Sequence, residues 1–320
     1  MPSRKHREPR LRDFYVTRSA AMRPVLATAA KVVDHDVSVL IVGESGTGKD
    51  YLAEAIHASG SRRSEPFVHV DCASIPADLF ESELFGYEKG TFTGAHSRKV
   101  GRLESARRGT VYLDDVAALS LPLQAKLLRV LQERHYTRLG GHQQLQFDAR
   151  VLASLSAPPE QLANAGLMRR DLLYRLNVVL ISLPPLRERG DDVLILARRF
   201  LRQQQRRRGA ISFDPATLEA LASYHWPGNV RELRNVIERA ALIEEGESIS
   251  LASLPVWGGP NLVQQAAART WTLEQLETEY IRNVLRTTRN NFSHAAAILG
   301  INRKTLLEKR KRYGIDGGSA

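Results

Sequence analysis

Two clusters in the first half of the chain carry the residue types needed to hold and cleave a phosphoanhydride. The first is Gly43-Glu44-Ser45-Gly46-Thr47-Gly48-Lys49-Asp50. It follows an apolar β-branched run, Val39-Leu40-Ile41-Val42, and precedes a stretch, Tyr51 to Ala58, that reads as a helix. Strand, glycine-rich loop and helix in that order set backbone N–H groups around phosphate oxygens, with Lys49 reaching the terminal ones. The pattern follows G-x-x-x-x-G-K-[ST] except at its last position. Asp50 has no hydroxyl to offer Mg²⁺, so the metal must lean on a second acidic site. That site is Thr110-Val111-Tyr112-Leu113-Asp114-Asp115, an apolar strand ending in carboxylates. Asp114 would hold Mg²⁺, directly or through water, because Mg²⁺ wants oxygen ligands. Asp115 would orient and polarise the attacking water. An Asp pair that only closes a turn is the bland alternative; its pairing with the upstream loop favours the nucleotide.

Between the clusters lies Gly90-Thr91-Phe92-Thr93-Gly94-Ala95, preceded by Glu81-Ser82-Glu83-Leu84-Phe85-Gly86-Tyr87-Glu88-Lys89. Glycines at both ends let the backbone bend at little steric cost. A Phe near the tip offers apolar surface that a lone domain would bury. A tight turn with Phe92 tucked into the core is one reading. In this context we expect a flexible finger that touches another protein and moves with the nucleotide state.

These motifs resemble the AAA+ domain of bacterial enhancer-binding proteins, the activators of the sigma-54 form of RNA polymerase. The family's surface loop reads GAFTGA, and its phosphate loop GESGTGKE, so Asp50 is a mild change within the family. Glu83-Leu84-Phe85-Gly86 is also typical. The resemblance runs from about Asp13 to Pro255. It implies ATP and Mg²⁺ as cofactors and an α/β AAA+ P-loop fold, a parallel sheet with helices on both faces plus a small helical lid. Met168 to Leu176 resembles the arginine-finger segment, with Arg169 and Arg175 at the finger positions; such fingers usually act on the neighbouring subunit's nucleotide, which implies a ring, a hexamer by likeness. Guanidinium suits that task, being always charged and planar. Trp226 to Leu233 matches the segment whose arginine, here Arg231, reaches the nucleotide from the lid. Pro227-Gly228 reads as a turn before a helix, which Asn229 could cap. Leu183 to Arg189 resembles the link into the lid.

Four positions depart from the family. Asp115 stands where Glu is usual, shorter by one carbon, roughly 1.5 Å. Leu155-Ser156 occupies the Thr-Asn position after a later strand; Leu155 cannot hydrogen bond, while Ser156 can. Asp71 replaces an Asn and would repel Asp115. Thr91 replaces the loop's Ala. Together they allow slow hydrolysis, and a second reading: a DNA-binding co-regulator with a weakened ATPase, working in a hetero-oligomer with a partner activator.

The C-terminal segment supplies the second function. Trp271 to Arg286 has helical periodicity, with Leu273, Leu276, Tyr280, Ile281, Val284 and Leu285 along one face. A short helix from His294 to Leu299, a turn at Gly300, and a second helix capped by Asn302 and ended by Gly314 make a helix-turn-helix. It resembles the factor-for-inversion type of DNA-binding module, a small all-α domain. Near the helix start Asn302, Arg303, Lys304 and Thr305 are candidates for base edges; Lys309, Arg310, Lys311 and Arg312 for phosphates. The packing face is expected on Ala295-Ala296-Ala297.

Composition agrees. The 320 residues carry 46 Lys and Arg against 35 Asp and Glu, a formal charge of +11, and a pI near 10.0, which suits a polyanion partner. Arg202 to Arg208 adds a Gln/Arg run. No stretch has the length or apolarity of a signal peptide or membrane span. The single Cys72 excludes an internal disulfide and fits a reducing cytoplasm. The expected organisation is a basic arm at 1–12, an α/β subdomain at 13–185, a lid at 186–254, a Pro/Gly/Ala/Gln linker at 255–270 and the helix-turn-helix at 271–320. With only the first dozen residues ahead of the resemblance, control is expected in trans, by an inhibitory or co-activator protein.

Overall fold

The computed structural model describes residues 11–208, 211–254, 270–288 and 291–315. Nearly all of the expected arm and linker lies outside them. The chain divides into two compact units, Met1–Ser250 and Leu251–Ala320.

The first unit is built on strands β1 (Val39–Val42), β2 (Phe67–Asp71), β5 (Thr110–Asp114), β8 (Arg150–Leu155) and β9 (Val179–Ser182). They form one parallel sheet in the order β2-β5-β8-β1-β9. The central strands read as unbroken apolar runs because both faces are covered, yet the period of two survives in where their side chains go. Leu40, Val111, Leu113, Val151, Ala153 and Leu155 enter one core, with the helices Ala77–Phe85, Leu121–Glu133 and Arg170–Leu176. Val39, Ile41, Tyr112, Leu152 and Ile181 enter the other, with the helices Met22–Val32 and Lys49–Ser59. Because β8 lies between β1 and β5, whatever ends β8 stands between the phosphate loop and the acidic pair. The Gly43 N–H donates to the Leu155 carbonyl at 3.2 Å. Ligand sites in open α/β sheets sit at this carboxyl edge.

Two short antiparallel ribbons stand apart from the five-stranded sheet. β3 (Gly86–Tyr87) pairs with β4 (Lys99–Val100), and β6 (His135–Thr137) with β7 (Gln144–Gln146). They flank the glycine-Phe loop and the turn that follows β6, and a bridge between Tyr87 and Leu139 ties them together.

The lid comprises helices Asp192–Arg208, Pro215–Ser223 and Asn229–Ile243, with a parallel pair Ser212–Phe213 and Ser248–Ile249. Asp214 caps the middle helix by accepting the Thr217 N–H at 2.6 Å. Trp226, fully buried, donates its indole N–H to the Leu221 carbonyl at 2.9 Å. Its φ is +51°, a left-handed conformation that costs a bulky residue free energy. Burial of the indole offsets that cost and fixes the turn into the last helix.

The second unit holds helices Leu273–Thr287, Phe292–Leu299 and Arg303–Arg312 around Ile281, Val284, Leu285, Ala295, Ala296, Leu306 and Ile315. Two expectations are corrected. Leu273 is 85% exposed and Tyr280 47%, so the buried face of the first helix is narrower than the sequence stripe. Ala297 is exposed, leaving Ala295 and Ala296 to pack. Thr272 and Gln275 form a reciprocal cap that starts the first helix, and Gly300, at φ +66°, makes the turn between the other two.

Replacing Trp226 by Ala removes the largest buried side chain of the lid. It is expected to cost about 3–5 kcal/mol, read as a lower denaturation midpoint; an unchanged midpoint would contradict the role given to this residue.

Candidate functional site

The phosphate loop is pre-formed. Gly46 and Gly48 have φ of +77° and +94°. The buried Thr47 hydroxyl donates to the Glu44 carbonyl at 2.7 Å. Lys49 opens the helix Lys49–Ser59, and its ammonium lies back on the loop, donating to the carbonyls of Gly43 at 2.8 Å and Glu44 at 3.3 Å. Burial lowers the Lys49 pKa, against the opposing pull of Asp114 and Asp115. A cationic group so desolvated gains most from an incoming phosphate. A cavity of about 370 Å³ adjoins the loop, lined among others by Tyr15, Gly48, Asp50, Tyr51, Phe200 and Arg231.

The lid is seated directly on that loop. The Gly46 carbonyl accepts the N–H groups of Val230 at 2.9 Å and Arg231 at 3.3 Å. A Cβ on Gly46 would lie 2.3 Å from the Gly228 carbonyl oxygen, so only glycine fits. Asn229 does not cap its helix through its side chain; Glu232 accepts the Gly228 N–H there instead, at 2.8 Å. The fully buried Asn229 amide ties lid to loop: it accepts the Leu186 N–H at 2.8 Å and donates to the Ser45 carbonyl at 3.0 Å and Glu44 Oε2 at 3.2 Å. Arg231 donates to Ser45 Oγ at 3.0 Å. Arg187 grips Glu44 through two bonds, at 2.6 and 2.9 Å, and holds the Glu44 carboxyl below its usual pKa. The buried Arg189 reaches the Thr47 carbonyl at 2.8 Å.

The acidic site is more connected than its sequence suggested. Asp114 Oδ1 accepts from Ser154 Oγ at 2.5 Å and Tyr112 OH at 3.0 Å, and His69 Nε2 lies 3.6 Å from Oδ2. Burial alone would raise the Asp114 pKa; His69, Ser154 and Tyr112 outweigh it and hold the carboxyl well below the carboxylate range. Asp114 raises the His69 pKa in return. Asp115 has a left-handed backbone, φ 53° and ψ 59°. Both its carboxylate oxygens accept from Ser156 Oγ at 3.1 Å, so Ser156 makes a bond open to it, while Leu155 is core. Asp71 Oδ1 accepts the N–H groups of Ala73 and Ser74 at 3.0 and 3.1 Å, which ties that carboxylate into its own turn. His69, Tyr112 and Ser154 were missed from sequence. Ser154 was the findable one, a hydroxyl within the apolar run 151–155 of a buried strand.

The donor chemistry suits Mg²⁺: Asp114 is an ionised oxygen donor. Among the described residues no three His, Cys, Asp or Glu side chains gather as a cation cage, so nucleotide phosphate oxygens and water would have to complete the shell.

Of the expected site residues the cavity is lined by Gly46, Thr47, Gly48, Asp50 and Arg231; Lys49, Asp114, Asp115, Arg169 and Arg175 do not line it. Arg169, at the N-terminus of its helix, pairs with Asp171 at 2.7 Å, and its N–H is accepted by the buried Gln124 at 2.9 Å. Arg175 donates to the Leu131 carbonyl at 2.7 Å.

Phe92 is 48% exposed, its ring edge-on to Tyr87 at 4.9 Å, so the buried-turn alternative is excluded. Gly90 and Gly94 have φ of +84° and +103° with open space around them, and the Gly90 N–H closes the loop onto the Ala95 carbonyl at 2.9 Å. Thr93 is exposed and Ala95 buried. The Thr91 hydroxyl lies 2.6 Å from the Glu88 carbonyl and 3.0 Å from that of Leu139, in the neighbouring turn. Beneath it the buried Arg138 joins Glu88 at 2.7 Å and Glu104 at 2.8 Å.

In the second unit Asn302 accepts from the Thr305 N–H at 2.8 Å and hydroxyl at 3.0 Å, so these two candidates serve as a helix cap. Lys309 pairs with Glu277 at 2.7 Å, Arg312 with Glu274 at 3.3 Å, and Arg310 stacks over Phe292 at 5.2 Å. Arg303, Lys304 and Lys311 are exposed and make no ion pair among the described residues.

Asn229→Ala removes two of the buried ties between lid and loop. With about 1–3 kcal/mol at stake for groups left unpaired, ADP affinity should fall roughly tenfold in a titration; unchanged affinity would contradict the clamp.

Comparison with known proteins fits this geometry. Residues 15–182 match the family described as "Sigma-54 interaction domain", 187–270 the "AAA+ ATPase lid domain", and 272–313 "Bacterial regulatory protein, Fis family". The chain is 41% identical to the regulatory protein AtoC of Escherichia coli K12 over 312 residues, covering 94% of this chain and 68% of AtoC. It is 43% identical to AlgB, the alginate biosynthesis transcriptional regulatory protein of Pseudomonas aeruginosa, over 310 residues, covering 95% and 68%. Crystal structures of NtrX from Brucella abortus with ADP and with ATP superpose with a TM-score of 0.70 at 33% identity, covering 94% of this chain and 69% of NtrX. No helix among the described residues is long and apolar enough to cross a membrane. The chain belongs to the sigma-54-dependent transcription activators, with an AAA+ ATPase domain that interacts with sigma-54, a helical lid, and a Fis-type helix-turn-helix that binds DNA.

Proposed function

We propose that this activator binds an upstream DNA site, closes into a ring with copies of itself, and uses ATP hydrolysis to remodel the closed promoter complex of sigma-54 polymerase in the cytoplasm. The observation that carries the ring is the separation of parts: Lys49, Asp114 and Asp115 act on one another at one sheet edge, while Arg169 and Arg175 direct their hydrogen bonds to Asp171, Gln124 and the Leu131 carbonyl, none of them to the phosphate loop or the acidic pair. A guanidinium with no bond to its own phosphate loop is available to the next subunit's nucleotide.

ATP and ADP, the ligands of the two NtrX structures, are the nucleotides assigned to the cavity. Gly43 to Lys49 would cradle the phosphates, with Asp50 beside them and Arg231 closing from the lid. Asp114 would hold Mg²⁺, which neutralises the charge developing on the phosphate oxygens. Asp115 would orient and polarise the attacking water, its position set by Ser156. Phe92 and Thr93 would meet sigma-54, being exposed on a closed loop within the segment that matches the sigma-54 interaction domain. Arg303 and Lys304 would reach base edges, Asn302 and Thr305 would build the start of that helix, and Lys311 would meet phosphate. Lys309, Arg310 and Arg312 would have to leave Glu277, Phe292 and Glu274 to do so.

One observation favours the second reading, a co-regulator with weakened ATPase in a hetero-oligomer: Leu155 is wholly buried and offers nothing to the acidic site.

Phe92→Ala is expected to abolish transcription from a sigma-54 promoter while leaving ATP turnover within about twofold, because the residue is exposed and its loss leaves no cavity; activation at the wild-type level would refute the loop assignment. Arg169→Ala should lower turnover about a thousandfold, the order of an arginine finger's contribution, without loss of ADP binding; wild-type turnover would exclude Arg169 from the site.

A further inference from the structure

The buried strand β8 opens on Arg150 and reads Val151-Leu152-Ala153-Ser154-Leu155 up to its end, with Ser154 as the one polar residue after Arg150. Ser154 is fully buried. Serine is a poor choice for packing a central strand, where a β-branched or larger apolar side chain gains more. Its hydroxyl is spent on two bonds. It donates to Asp114 Oδ1 at 2.5 Å and accepts the Asp115 N–H at 2.9 Å. The direction of both is fixed, because an amide N–H only donates and an ionised carboxylate only accepts.

The second bond has a particular effect. Asp115 holds φ 53° and ψ 59°, a left-handed conformation that is uncommon for a residue with a Cβ, although Asp adopts it more readily than most. The Ser154 hydroxyl holds the Asp115 backbone in that conformation, while Ser156 holds its carboxylate from the other side. The bridge also reaches across the sheet: β8 is the strand between the phosphate loop on β1 and the acidic pair on β5. Without the hydroxyl, the Asp115 N–H loses its partner and Asp114 Oδ1 keeps one side-chain donor, Tyr112.

We infer that Ser154 is a positioning residue of the ATPase site: it couples Asp114 to Asp115 and sets where the short Asp115 carboxylate stands, without touching the nucleotide. This rests on the reading of Asp115 as the group that polarises water.

The test uses the full-length protein and three variants, Ser154→Ala, Ser154→Cys and Asp115→Asn. Ser154→Ala should lower kcat at least tenfold, as expected for a displaced catalytic group, with KM for ATP and ADP affinity within about twofold. Hydrogen exchange measured without nucleotide should quicken in the peptide spanning Asp114–Val116 and stay unchanged in β1 and β2. Ser154→Cys keeps the shape with a slightly larger atom and loses the strong hydrogen bonds, so it should fall with Ser154→Ala. Wild-type kcat in either Ser154 variant would overturn the inference. So would a loss of kcat in step with ADP affinity and faster exchange across the whole sheet, which would mark Ser154 as a packing residue. Asp115→Asn separates the two failures: its turnover should collapse, and wild-type turnover there would overturn the reading of Asp115 itself.

Discussion

The contact on which the rest depends is the seating of the lid on the phosphate loop at Gly46. Its carbonyl takes two N–H groups from the start of the last lid helix, and the Gly228 oxygen comes too close for any side chain. Asn229, Glu44 and Arg187 fasten the rim of that contact, and buried Trp226 holds the turn that delivers it. Hydrogen bonds between groups removed from water have discrete arrangements and little slack. Phosphate that displaces the Lys49 ammonium from the Gly43 and Glu44 carbonyls therefore disturbs the loop the lid sits on. A change at the nucleotide would reach the lid directly through these contacts.

A second chain of contacts leads away from the acidic pair. Asp115 precedes a short turn and the helix Leu121–Glu133, whose Gln124 is wholly buried and holds both the Leu167 carbonyl and the Arg169 N–H, at 2.8 and 2.9 Å. That helix runs on to β6 and the turn at Leu139, where the Thr91 hydroxyl and the Arg138 pairs meet the base of the Phe92 loop. The segment 121–139 thus meets Arg169 and Arg175 along its helix, at Gln124 and Leu131, and the base of the Phe92 loop at its far end. Phe92 is exposed there, and the space around Gly90 and Gly94 is open.

Much of this was readable before the fold was known, and the reason is local chemistry. The phosphate loop, the strand-end carboxylates and the loop between glycines each announce themselves in a few consecutive residues. The cap at Asn302 and the left-handed Gly300 followed from turn and capping rules in the same way. What escaped depends on contacts between residues far apart in the chain. Asn229 fits the pattern of a helix cap, but its partners Leu186 and Ser45 are 43 and 184 residues away. Ser154 and His69 meet Asp114 only because β8 and β2 are its neighbours in the sheet. The stripe on the first C-terminal helix was read too wide, since periodicity says which residues share a face but not how much of it a three-helix unit covers.

The central claim, a site completed by a second subunit, is tested most directly by steady-state ATP hydrolysis over a protein concentration series. The account predicts that turnover per chain rises cooperatively with concentration and reaches a plateau as rings fill. Turnover per chain that is the same at every concentration, with the protein monomeric throughout, would contradict it.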